Sequence, residues 1–192
     1  MTPTIYFVIG PAGSGKSTVA ALLAKRCRAA YLDKDSLVTY FTEALLEQAG
    51  GDPHERDNSE FYQRTVVDLE YATLLRVAGD NLRLGLSVVL DAPFGRYFAR
   101  EDYVERAAED NRWPAGTEAV VIHVSAGSSK VRERVVARSL ERDNWKLDHW
   151  DDFWANAQAV SCVWRGVRHV SFDNSTEGVS TEDLDRAVGA LG

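Results

Sequence analysis

The chain has 192 residues, 45% of them apolar and 27% charged, enough for one well-buried core and short for two domains. No apolar run reaches the length of a membrane span, and the N-terminus lacks a basic region followed by a signal-like core, so a cytoplasmic protein with no membrane partner is expected. A net charge of −7 argues against a long nucleic-acid footprint, which depends on neutralising phosphates, and Cys27 and Cys162 have no metal-like spacing and read as buried, reduced thiols.

The first apolar run predicts a strand over 4–9. It leads into Gly10-Pro11-Ala12-Gly13-Ser14-Gly15-Lys16-Ser17, a full match to G-x-x-x-x-G-K-[ST], and then into a helical pattern carried by Val19, Leu22, Leu23 and Cys27. Glycines let successive N–H groups point inward at a helix N-terminus, which makes a concave anion site. On this reading residues 10–18, Thr18 included, hold ATP and magnesium. Lys16 reaches the β- and γ-phosphates, and the Ser17 hydroxyl helps to hold the metal.

A second strand is predicted over 29–33 and a helix near 36–48. Between them stands Asp33-Lys34-Asp35-Ser36. Ligands of open α/β sheets collect beyond the carboxyl ends of the strands, so both aspartates are site candidates. Asp35 suits a general base for an attacking hydroxyl, and it also suits the cap of a helix starting near Leu37. A turn at Gly50-Gly51-Asp52-Pro53 precedes a long helix from about 59 to 85, whose stripe is Val67, Tyr71, Leu74, Leu75, Ala78 and Leu82. Segment 49–64 offers His54, Arg56, Asn58, Tyr62 and Arg64 to an acceptor pocket.

The third strand, 87–91, ends in Asp91, an apolar run closed by a carboxylate in the Walker B manner, or else a turn residue before Pro93. Ser17, Asp33 and Asp91 are the candidate magnesium ligands. Asp35, Arg56, Arg64, Asp91 and Arg96 are the candidate acceptor-binding residues. Further helices are predicted near 97–111, 128–139, 149–160 and 181–190, and strands over 118–124 and 168–173. His123 and His169 read as packing residues.

Segment 130–146 sets six cations against three carboxylates in an otherwise acidic chain. Arg134, Arg138 and Arg142 are spaced by four and share one face of a persistent helix. Guanidinium groups suit phosphoryl oxygens, although a solvated face paired with Glu133, Glu141 and Asp143 is the plainer reading. Trp145, Trp150 and Trp154 either wall a pocket or, for the last two, form the buried face of a helix.

Taken together, the phosphate loop and Leu32-Asp33-Lys34-Asp35-Ser36-Leu37 resemble small P-loop kinases such as gluconate kinase, chloramphenicol phosphotransferase and the zeta-toxin kinases. The resemblance runs from residue 4 to about 142, with an echo at Phe172-Asp173-Asn174-Ser175-Thr176, where such proteins approach the adenine. It implies a three-layer α/β fold with a five-stranded parallel sheet in the order 2-3-1-4-5, helices on both faces, and a lid at about 138–150. It also implies that Asp35 is the catalytic base, that Arg134 lies by the nucleotide and that Arg138 reaches its phosphates.

One domain over 1–192 is therefore expected, an ATP- and magnesium-dependent enzyme that phosphorylates a hydroxyl of a small molecule. Lys16, Asp35 and Arg138 would be its catalytic residues. A kinase acting on nucleotides or polynucleotides is the alternative. A regulatory GTPase would need Asp-x-x-Gly after the third strand and Asn-Lys-x-Asp, and neither occurs.

Overall fold

The computed structural model describes residues 2–56, 58–139, 143–159, 161–176, 178–179 and 181–188. Strands β1 (Thr4–Ile9), β2 (Ala30–Asp33), β3 (Val88–Asp91), β4 (Glu118–Ser125) and β5 (Arg168–Asp173) form one parallel sheet in the order β2-β3-β1-β4-β5. That order and the strand boundaries agree with the sequence to within a residue. The central strands are apolar on both faces because each face is covered, the pattern demanded of a buried parallel sheet. In β1, Ile5, Phe7 and Ile9 enter one core cluster, while Tyr6 and Val8 enter the other.

The first cluster lies under α2 (Lys34–Gln48), α3 (Val67–Arg83) and α4 (Tyr103–Asp110). The second lies under α1 (Lys16–Cys27) and contains Leu184 of α8 (Thr181–Val188). A third, smaller cluster gathers α5 (Ser128–Arg138), α6 (Asn144–Asp148) and α7 (Trp150–Ala159) around Val131, Val135 and Trp150. The stripe read from the sequence on α3 is buried throughout, and Gly85 takes a left-handed φ of 81° just past the helix end.

Two helices differ from expectation. The long one opens on a π-helical turn, Tyr62–Val66, which turns Tyr62 into the core and onto Glu70. The helix expected over 97–111 divides into a 3-10 turn at Gly95–Tyr97 and α4. Phe94 sits in the left-handed region with its ring wholly buried against Phe7, Tyr71 and Trp164. The Tyr97 carbonyl is occupied by Arg100 N and by Trp164 Nε1, so no regular helical bond starts there. Aromatic packing of the segment after β3 has overridden its helical spacing.

A buried ion pair joins α2 to α3. Glu70, 2% exposed, accepts from Lys34 Nζ, from Thr42 Oγ1 at 2.6 Å and from Tyr62 Oη at 2.9 Å. The same Lys34 ammonium stands 3.4 Å from Asp35, so this network sets the first turn of α2. Removing one partner of a buried pair strands the other charge. Glu70→Ala is expected to cost about 3–5 kcal/mol in urea unfolding, and adding Lys34→Met should recover a substantial part of that loss.

Candidate active site

Three glycines shape the loop between β1 and α1, and each is irreplaceable for a visible reason. Gly10, Gly13 and Gly15 all have positive φ, at 149°, 81° and 89°. A Cβ on Gly10 would lie 2.2 Å from Val124 O, and one on Gly15 would lie 2.1 Å from Asn174 Nδ2. A Cβ on Gly13 would meet Val131 O at 2.9 Å. Strand β4, helix α5 and the segment after β5 therefore press on the loop from behind. Asn174 Nδ2 donates to Ser14 O at 2.8 Å, and Arg134 donates to Ser14 O at 3.3 Å and to Asn174 O at 3.0 Å. Lys16 Nζ donates to Pro11 O at 3.0 Å across the loop. Burial pushes the Lys16 ammonium down, Asp91 opposes that shift, and Arg138 adds to it.

Carboxylates gather at the ends of β2 and β3, where Asp33 and Asp91 are register partners. Asp91 is 5% exposed and accepts from Tyr31 Oη at 2.9 Å. Burial pushes its carboxyl up, against the Ser17 hydrogen bond and the Lys16 charge. Asp33, and not Asp35, caps α2: its Oδ1 accepts from Asp35 N at 2.7 Å and Ser36 N at 3.2 Å. The helix begins at Lys34, ahead of the start expected near 36, so Asp35 lies inside the first turn and the cap is Asp33. Its carboxylate stands 3.5 Å from Arg56 Nη1, whose other nitrogen donates to Thr39 Oγ1 at 3.1 Å.

A third group comes from the segment after α5. Arg138 donates to Asp143 in a bidentate pair, at 2.6 and 2.7 Å, and Lys146 Nζ donates to the same carboxylate at 3.2 Å. Burial alone would raise the Asp143 carboxyl, but Arg138 and Lys146 hold it below its usual range.

These groups share one cleft of about 1290 Å³. Gly10, Pro11, Ala12, Lys16 and Ser17 line one part of it, and Asp33, Asp35, Asp91 and Arg56 another. Arg138, Asp143 and Lys146 line it as well. The volume exceeds what a single drug-sized ligand fills, so it has room for two reactants side by side.

Against this frame stand the comparisons with known proteins. A protein-family model described as AAA domain matches residues 5–160, most of the chain. The chain belongs to the AAA domain family. A search of curated protein sequences found no match. Among solved structures, a candidate kinase from Chloroflexus aurantiacus J-10-fl is similar at 19% identity and a TM-score of 0.67, over 98% of this chain and 97% of that one. A sugar kinase from Janibacter sp. HTCC2649 is similar at 15% identity and a TM-score of 0.62, over 97% and 92%. A gluconokinase from Sinorhizobium meliloti 1021 gives 18% and 0.51, over 97% and 87%. At these identities the likeness is one of fold.

In this AAA domain two of the expected acceptor residues lie off the cleft. Arg64 pairs with Glu60 at 2.9 Å on the surface, because the π turn swings it outward. Arg96 is spent on Gln63 and Asp68, tying the 3-10 turn to the helix before it. Arg134 likewise does not line the cleft and braces the loop from behind. Arg142 and Glu141 lie outside the described residues, as do 140 and therefore part of the expected lid. Trp150 packs on α5, its indole N–H donating to Ser128 Oγ at 3.2 Å, with Trp154 stacked against it. Trp150 is buried and Trp154 half-buried, so the reading as a buried helix face holds for Trp150.

Some contributors escaped the sequence. Asn174 and Glu70 carry no motif, and Asp143 read as a solvated partner of the arginines. Only the weak echo after the last strand pointed at Asn174. The donor set suits magnesium, which needs one or two carboxylates beside phosphate oxygens and water: Ser17, Asp33 and Asp91 line the same cleft.

Two outcomes are expected. Gly15→Ala forces a left-handed alanine into Asn174, a cost of about 1–2 kcal/mol or more, so calorimetry should show a lower melting temperature and weakened nucleotide binding. Asp143 has a lowered folded pKa, so its pairing stabilises above the unfolded value of about 3.9 and is lost as pH falls through the lower one. Melting temperatures taken from about pH 5 to about pH 2 should therefore fall less steeply in Asp143→Asn than in the parent.

Proposed function

We propose that the protein transfers the γ-phosphoryl group of magnesium-bound ATP to a hydroxyl of a small molecule. The observation that carries this reading is a single cleft lined by the phosphate loop, by Asp35 in the first turn of α2, and by Arg138. The kinase titles of the similar structures support it, the sugar kinase and the gluconokinase among them.

The loop amides between Gly10 and Ser17 take the phosphate tail, and the Lys16 ammonium lies against its β- and γ-oxygens. Asp35 accepts the proton of the attacking hydroxyl as its oxygen bonds to the γ-phosphorus. The bond from phosphorus to the β,γ-bridging oxygen breaks, and ADP leaves with that electron pair. Arg138, turned from Asp143 toward the phosphoryl group, spreads positive charge over it with Lys16. Ser17, Asp91 and Asp33 are the groups that would hold magnesium. When bound, it supplies charge neutralisation between the β- and γ-phosphates.

The acceptor site opens on the side of Asp35 lined by His54, Asn58 and Tyr62, with Arg56 as the arginine beside the base. A nucleotide kinase would place several arginines there and need no base. Among the described cleft-lining arginines, Arg56 stands beside Asp35, while Arg138 belongs to the group after α5. An alcohol acceptor therefore fits better than a phosphate. No helix of the described residues is long and apolar enough to cross a membrane.

A panel of sugars, sugar acids, amino-acid-like compounds and hydroxylated natural products, incubated with radiolabelled ATP, tests the reading. Asp35→Asn is expected to keep nucleotide binding and to lose transfer by roughly 100-fold or more. Transfer at the parental rate would remove Asp35 from the mechanism. Lys16→Ala should abolish turnover with the melting temperature preserved, and unchanged turnover would reject the role given to that ammonium.

A further inference from the structure

One histidine of the cleft, paired with a second behind it, is assigned no part in phosphate or metal binding. His123, near the end of β4, lines the cleft with Lys16 and Asp35. Its Nε2 is 2.8 Å from Nδ1 of His169 on β5, and Nε2 of His169 is 2.9 Å from the backbone oxygen of Trp164. Register explains the meeting. His123 pairs with Ser171 and Val121 with His169, so the two imidazoles lie diagonally on one face of adjacent strands.

The carbonyl sets the direction of the chain. An oxygen can only accept, so Nε2 of His169 carries the hydrogen, and in the neutral ring Nδ1 is then bare. With that tautomer His123 donates to it from Nε2. That leaves Nδ1 of His123 as a lone pair, with no partner among the described residues. Burial pushes the His123 imidazole down and His169 adds to the shift, so the ring is neutral near pH 7. His123 is on the sheet face that carries α3 and α4, as is its register partner Ile9, away from the helix that follows the phosphate loop.

We propose that His123 is a specificity determinant that accepts a hydrogen bond from a second hydroxyl of the acceptor, distinct from the one phosphorylated. His169 is its positioning residue and acts by fixing the tautomer. The inference rests on the kinase reading of the cleft and narrows the acceptor to a compound with at least two hydroxyl groups. A carboxylate at this point would set one acceptor against another, whereas a hydroxyl donates. A purely structural role is weaker, because β4 and β5 are already joined by a ladder running from Val120 to Ser125. Sites built to bind a hydroxyl reject analogues that lack it, because the polar group is then left unpaired.

The test uses the whole protein labelled with 15N-histidine, with ADP and magnesium present. Sorbitol, D-glucose and D-gluconate are titrated in, with 1-propanol as the monohydric control. The His123 Nδ1 resonance is expected to report an unprotonated nitrogen, to move with at least one polyol and not to move with 1-propanol. In transfer assays with radiolabelled ATP, His123→Phe should raise the KM for that polyol by roughly tenfold or more, with the KM for ATP unaltered. His123→Asn, whose amide oxygen can stand near the lost Nδ1, should recover part of the effect, and His169→Phe should raise the polyol KM by a smaller factor. A nitrogen that no polyol moves, an equal response to 1-propanol, or a parental KM in His123→Phe would each overturn the proposal. Polyol-dependent movement of His123 without any phosphoryl transfer would uphold the recognition site and overturn the kinase reading instead.

Discussion

The grip of Asn174 and Arg134 on one carbonyl, that of Ser14, is the contact on which the rest of the site depends. A loop of inward-pointing amides is held open only if something behind it opposes collapse. Three glycines without Cβ atoms let β4, α5 and the segment after β5 press directly against the loop backbone. Asn174 and Arg134 then tie that backbone to the far edge of the sheet by hydrogen bonds of 2.8 to 3.3 Å. The phosphate site is thus built from both ends of the chain. Its shape is preorganised before any anion arrives, which is where electrostatic binding gains most.

A second network does for the Asp35 side of the cleft what Asn174 does for the loop. Glu70 is nearly inaccessible and collects Lys34, Thr42 and Tyr62, each from a different place in the sequence. The π turn that brings Tyr62 inward has a structural cost, and it appears where the helix must reach this carboxylate. With Asp33 committed to the cap, Asp35 is held in the first turn of α2 by the backbone, with Lys34 and Arg56 flanking it. Asp143 offers a third instance of the same logic. It gathers Arg138 and Lys146 on the cleft wall, so two cations that would repel one another share a counter-ion. Each anchor is a carboxylate or amide with no motif of its own.

How legible all this was depends on the range of the interaction. The five strands and their order could be read because buried parallel strands are continuous apolar runs, and runs are local. The helix expected after the third strand failed because the rings of Phe94, Tyr97 and Trp164 outweighed helical spacing. Arg64 and Arg96 were sound chemical candidates by type, yet one was turned to solvent by a π turn and the other was consumed by Gln63 and Asp68. His123 and His169, read as packing residues, lie 46 positions apart, and only the parallel register of β4 and β5 brings their rings together.

By itself, then, the sequence determined the phosphate loop, the strand-end aspartates and the layered α/β architecture. Those features are written in short windows, where residue type and backbone conformation are coupled directly. Tertiary structure alone decided which of the two aspartates after β2 caps α2, and which arginines reach the cleft. It also decided which side chains brace the loop and which two imidazoles meet across β4 and β5. Such choices turn on strand register and on competition for buried partners, which relate residues far apart in the chain and leave no periodic trace along it.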